Sequence, residues 1–207
     1  MAENLWKTTY IKMTSTSPIA RFPNADGTPL PRDGRGFHSD WPFNTHNHAA
    51  FVPEPYSLDA PLHLTVIFML SPFTPANATL IVPHSHKLGH NYLSAHDPPT
   101  DGANLLQPLP TPLVETPGVG SEGSVLMFDS RMWHAAPLHT DPDARVGVGV
   151  RYAPWWMNHL PLLHGSVERE AMLYNGEPEA NVIYPLPRGV WERMPPEARR
   201  LLRVWVD

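Results

Sequence analysis

Histidine dominates the residue types able to do chemistry in this chain of 207 residues: there are twelve, and no cysteine. Any metal ion must therefore be held by imidazole and carboxylate. His38-Ser39-Asp40 falls in a stretch that reads as extended, where residues i and i+2 point to one face. One imidazole and one carboxylate then project side by side. A second imidazole from a distant strand would complete a two-histidine, one-carboxylate facial triad, which leaves three positions of an octahedral Fe(II) open for O2 and an organic co-substrate. Taken alone, H-x-D is a weak signal, and a solvated or satisfied polar pair is the competing reading. His134 is the remote candidate, because an apolar run, a turn at Asp129-Ser130 and a second strand starting near Trp133 would aim it into an enclosed space. Arg145 follows eleven positions later and opens the next strand. Strand alternation puts Arg145, Gly147, Gly149 and Arg151 on one face, where two glycines clear room beside a buried guanidinium. A planar, permanently charged fork in such a space suits a carboxylate. The alternative is an arginine at a strand edge with glycines marking a bulge.

The elements that must carry these residues are short. With 26 prolines and 13 glycines, the chain is hostile to long helices and to central sheet positions. Extended runs are expected near residues 8–13, 37–43, 62–70, 78–82, 124–128, 133–138 and 145–152, separated by long Pro-rich connections. Helical patterning is confined to residues 165–173 and 195–204, the second opening on prolines. Uneven strands with stiff loops favour a sandwich or jelly roll over βαβ repeats. The expected fold is all-β with minor helices: one domain, with an irregular lead-in over 1–35, a jelly-roll core over 36–155 and a C-terminal extension over 156–207. A net charge of −5 without a basic run argues against nucleic acid. No stretch approaches the roughly 18 apolar residues of a membrane span, and the polar start lacks a signal-peptide apolar core; a cytoplasmic protein acting on a small molecule is expected.

In order, the chain presents His38-Ser39-Asp40-Trp41, then PANATLIVPHSHK from Pro75 to Lys87, then GSVLMFDSRMWH from Gly123 to His134, then Arg145. Over roughly residues 36–203 this resembles the phytanoyl-CoA dioxygenase family of Fe(II)- and 2-oxoglutarate-dependent oxygenases, whose fold is a double-stranded β-helix. The resemblance implies that His38, Asp40 and His134 ligate iron, and that Arg145 pairs with the distal carboxylate of 2-oxoglutarate. It further implies that Thr79 hydrogen-bonds that co-substrate and that Thr65 stands where a polar co-substrate contact is found, although Thr65 reads equally as a β-branched strand filler. The implied activity is oxidation of an unactivated C–H bond, hydroxylation by default, using Fe(II), O2 and 2-oxoglutarate with ascorbate as reductant, and releasing succinate and CO2. The alternative is a cupin-type protein that binds metal or a small ligand without turnover, or works without 2-oxoglutarate.

Three departures from the family pattern stand out. His84 occupies the glycine of a P-G-S-H turn, Ala136 replaces a common serine, and only 37 residues precede His38, where the family has a longer helical region; the chain is then compact or incomplete. His84, His86 and His90 lack a carboxylate and read as turn residues rather than a second metal site. His46 and His48 read as a solvated loop. Trp155 and Trp156 are expected to seal the end of a strand. The loops over 44–58 and 89–119 would select the substrate, for which a largely apolar small molecule is expected.

Overall fold

The computed structural model describes residues 11–23, 26, 37–40, 61–88, 113–136, 139–174 and 183–206. Its strands are β1 (Ile11–Arg21), β2 (Leu64–Met69), β3 (Leu80–Ile81), β4 (Thr116–Pro117), β5 (Val125–Asp129), β6 (His134–Ala135) and β7 (Arg145–Pro154). One sheet runs β1-β7-β2-β5 and the other β4-β3-β6, all pairs antiparallel. His38 extends the second sheet through an isolated bridge to His134. Followed along the chain, strands alternate between the sheets, first, second, first, second, second, first, second, first. That palindrome is a jelly roll, as expected.

Composition accounts for the strands that carry the site. β2 (LTVIFM) is β-branched and apolar, and all of it but Phe68 is buried, as befits a strand flanked on both sides. β5 alternates, with Leu126 and Phe128 inward and Val125 and Met127 exposed. Inside, Phe37, Leu80, Val82, Trp133 and Ala135 form one apolar cluster, and Ile67, Met69, Phe73, Ala78 and Phe128 form another. In β7, Arg145, Gly147 and Gly149 are buried, and Arg145, Gly149 and Arg151 face one cavity. The alternation read from the sequence therefore holds, and the competing strand-edge placement of Arg145 does not, since β7 lies between β1 and β2.

The lead-in is more ordered than its composition implies. β1 is an eleven-residue strand, extending well past residue 13; residues 8–10 lie outside the described set. Pro18 is tolerated because β1 is the sheet edge, where a missing donor costs no ladder bond. The register to β7 slips between Met13 and Ser15. This bulge re-phases the strand, so that Thr14 is fully buried while Ser15 lines the cavity. The C-terminal residues pack back onto β1 through Trp205, whose Nε1 donates to the Met13 carbonyl at 2.6 Å. Helices α1 (Val167–Tyr174) and α3 (Pro196–Leu202) match the expected stretches, and a one-turn α2 (Arg188–Trp191) precedes α3. Trp155 and Trp156 do not seal a strand: they are 60% and 56% exposed in the turn after β7. Among the described residues, no helix is long and apolar enough to cross a membrane.

Candidate metal centre and co-substrate cavity

His38, Asp40 and His134 meet at one end of the space between the sheets. Their ligand atoms all lie within 4.8 Å of one another, and all three residues are buried. Backbone pairing builds the cluster. His38 N–H donates to the His134 carbonyl at 3.0 Å, and the reverse bond is 2.8 Å. Asp40 N–H donates to the Ser130 carbonyl at 2.8 Å. The turn that delivers His134 is locked by Arg131, whose Nη2 and Nε donate to Asp129 Oδ2 and Oδ1 at 2.6 and 3.0 Å. Ser85, in the Pro83-His84-Ser85-His86 turn, receives the Trp133 N–H at 2.8 Å and donates to the Val82 carbonyl at 2.7 Å. That turn therefore fixes the start of β6 against the end of β3.

The donor chemistry fits a divalent cation. His134 Nδ1 lies 3.0 Å from the Met132 carbonyl; since a carbonyl only accepts, Nδ1 carries the proton and Nε2 presents its lone pair to the cluster. Nε2 lies 3.6 Å from Asp40 Oδ2, and two atoms each about 2.1 Å from one ion are separated by no more than about 4.2 Å. Burial alone would raise the Asp40 carboxyl, but Arg151, His134 and His38 outweigh it and hold the group well below the usual carboxylate range. Asp40 is thus an anion between two imidazoles, as metal ligation requires.

These residues open onto a cavity of about 510 Å³ whose walls include Ser15, Ser17, Ile19, Thr65, Thr79 and Arg145. Arg145 is 3% exposed. Its Nη1 donates to the Asn77 carbonyl at 2.9 Å and to Thr79 Oγ1 at 3.3 Å, and its guanidinium lies 5.1 Å from the centre of the Phe73 ring. Asn77 is itself pinned through its Nδ2, which donates to Asp141 at 3.2 Å. The arrangement is a cation with a hydroxyl beside it, lining the same cavity as the carboxylate and imidazoles.

A family model described as phytanoyl-CoA dioxygenase matches residues 26–147, more than half of the chain, and spans every residue of this cluster together with Arg145. The chain belongs to the phytanoyl-CoA dioxygenase family. No curated protein matches it. Among solved structures it is similar to HygX from Streptomyces hygroscopicus with nickel and 2-oxoglutarate bound, at TM-score 0.47 and 15% identity, covering 72% of this chain and 58% of that one. It is also similar to SnoN, a non-haem α-ketoglutarate-dependent epimerase from nogalamycin biosynthesis, at TM-score 0.45 and 16% identity, covering 75% and 57%. A third, EvdMO1, has TM-score 0.46 and 15% identity, covering 70% and 27%. The chain spans between 27% and 58% of the length of these three structures.

Every site residue read from the sequence reaches this cavity: His38, Asp40, His134, Arg145, Thr79 and Thr65 all line it. Thr65, however, donates to Asp40 Oδ2 at 2.9 Å, so its visible partner is the carboxylate of the cluster. Ala136 also lines the cavity, and His84 adopts the left-handed φ of 71° that its family position demands. Among the described residues, the site cluster is the sole group with metal-ligand geometry; His46, His48 and His90 lie outside the described residues, as do most of the two loops expected to select the substrate.

A support layer that residue spacing does not reveal lies behind the cluster. Arg151 Nη2 donates to Asp40 Oδ1 at 2.6 Å, and its Nη1 donates to Ser15 Oγ at 3.0 Å. A second line of bonds runs from Thr65 to Ser130 Oγ (2.7 Å), to His63 Nδ1 (2.8 Å), and from His63 Nε2 to Thr14 Oγ1 (2.7 Å). Burial, then His159 and Arg151, drive His63 well below its ordinary value, so it is neutral. Burial, then Lys12, push the neighbouring His159 down to about 3. The one signal for this layer was Arg151 itself, a second arginine on the glycine-cleared face of β7.

Proposed function

We propose that this chain is an Fe(II)- and 2-oxoglutarate-dependent oxygenase that hydroxylates an unactivated C–H bond of a small molecule, with release of succinate and CO2. The observation that supports it is the placement of a buried His38, Asp40 and His134 set and a buried Arg145 on the walls of one cavity. His38, Asp40 and His134 would hold the metal through two imidazole nitrogens and a carboxylate oxygen. Iron held there supplies the activation of O2, coupled to decarboxylation of 2-oxoglutarate, that an unactivated C–H bond requires.

The rest is work for the chain's own residues. Arg145 would receive the distal carboxylate of 2-oxoglutarate, its fork already oriented by the Asn77 carbonyl and its charge backed by the Phe73 ring. Thr79 adds a hydroxyl at that carboxylate. Asp40 keeps a carboxylate in the place that family-like halogenases give to a small residue, which favours hydroxylation over halogenation. In the sheet that carries Arg145, β1 offers Ser15, Ser17 and Ile19 to the cavity. That mixed surface favours a substrate bearing polar groups beside its apolar part over a largely apolar one.

The test is anaerobic addition of Fe(II) and then 2-oxoglutarate, watching for the visible charge-transfer band of the chelate, followed by a substrate panel read out as succinate. The band should form with wild-type protein and be lost in Asp40→Ala. A protein that takes up Fe(II) but gives no band, or whose turnover is indifferent to 2-oxoglutarate, is instead a cupin-type binder or dioxygenase.

A further inference from the structure

Asp40 has two oxygens, and the fold treats them differently. Oδ2 lies 3.6 Å from His134 Nε2 and accepts one bond, from Thr65, which leaves it a lone pair toward the cluster. Oδ1 is held by Arg151 Nη2 at 2.6 Å. Arg151 is held in turn by Ser15 Oγ. Ser15, Arg151 and Thr65 are register partners across β1, β7 and β2, so one row of the sheet grips the carboxylate from both sides. Arg151 also lies beyond residue 147, where the family match ends.

A carboxylate can ligate a cation through one oxygen or both. With two imidazoles and a single carboxylate oxygen, an octahedral ion keeps three positions open. Chelation by a keto acid takes two and O2 one, so a second Asp40 oxygen would displace one of the reactants. We propose that Arg151 is a positioning residue that withholds Oδ1 of Asp40 from the metal, limiting the carboxylate to one ligating oxygen and keeping the third position open. The inference rests on the reading of His38, Asp40 and His134 as a metal centre.

Co(II) is the probe, because its visible absorption reports coordination number without turnover. Anaerobic titrations with Co(II) alone, then with 2-oxoglutarate on the Co(II)-loaded protein, are compared for wild type, Arg151→Met, Arg151→Lys and Ser15→Ala, each checked for folding by circular dichroism. Arg151→Met should bind Co(II) about fivefold more tightly or better, since a positive charge is gone and an oxygen released. It should bind 2-oxoglutarate at least about tenfold more weakly, with an altered Co(II) spectrum. Arg151→Lys, which keeps a donor on Oδ1, should restore most of the 2-oxoglutarate affinity. Ser15→Ala should shift both constants in the same directions by less, and it carries the test if Arg151→Met does not fold. Wild-type constants in a folded Arg151→Met, or weaker Co(II) binding by it, would overturn the inference, the latter by making Arg151 a simple support for the ligand. A wild-type protein that binds neither probe overturns the metal-centre reading itself, a result distinct from failure of the Arg151 variants.

Discussion

Arg145 is the residue on which the proposed chemistry turns, because the cation it brings to the cavity has been oriented before any co-substrate arrives. Among its partners there are a backbone carbonyl, a hydroxyl and an aromatic face, which hold the guanidinium on the wall of the cavity. Removing the guanidinium should therefore weaken 2-oxoglutarate specifically. Arg145→Ala is expected to raise the KM for 2-oxoglutarate by roughly a hundredfold or more, the scale of a charge-assisted bidentate pair, while Co(II) binding to His38, Asp40 and His134 stays within about threefold of wild type. Intact co-substrate affinity in that variant would assign the cavity to another ligand. This residue was legible in the sequence together with His38, Asp40, His134 and Thr79, because their order and separation match the pattern of the family that the chain resembles. Arg151 was legible only as a second arginine on the same face, and Ser130, His63 and Thr14 were not. Their contacts join residues brought together by register and by a bulge, and neither leaves a short-range mark.

The strands show the same division. β2, β5 and β7 announce themselves through β-branched or alternating runs, whereas β1 (IKMTSTSPIAR) reads as polar and Pro-broken and is extended because β7 pairs with it along most of its length. Tertiary pairing overrode weak local preference. β4 is two residues long, too short for any periodicity to register. The turn after β3 is the opposite case, where the sequence flagged a cost that the backbone confirms. His84 has φ 71°, with no side-chain hydrogen bond to cap the short helix that follows. An L-residue in this region is strained by about 1–2 kcal/mol, part of which glycine returns as greater freedom in the unfolded chain. His84→Gly should raise the free energy of unfolding by about 0.5–1 kcal/mol, measured by urea denaturation. Because Ser85 ties this turn to Trp133, Co(II) affinity should be preserved. A destabilised His84→Gly would mean that the imidazole makes a contact worth more than the strain.

At the scale of the whole molecule, the support layer concentrates basic groups beneath the cavity. Lys12, His159 and Arg151 are gathered around His63, with Asp40 the one carboxylate acting on it, and His63 stacks on His159 with ring centres 5.4 Å apart. Folding excludes protons from the two histidines, chiefly by burial. A histidine whose folded pKa is depressed stays neutral in the folded state while the unfolded chain protonates it below about 6.5, so stability must fall as pH drops through that value. For His159 the loss continues until the folded form itself protonates at about 3. Asp40, also depressed, starts to cost stability only below the ordinary carboxylate value near 3.9. Between pH 6 and 4.5 the histidines therefore set the slope. Each fully excluded proton contributes about 1.4 kcal/mol per pH unit, and His159→Phe, which keeps a ring against His63, should remove about one proton's share of it. Urea unfolding of the metal-free protein at a series of pH values would show wild type losing stability more steeply than the variant as pH falls from 7 to 4.5. Parallel curves would mean that His159 titrates normally in the fold and that the basic layer is open to solvent.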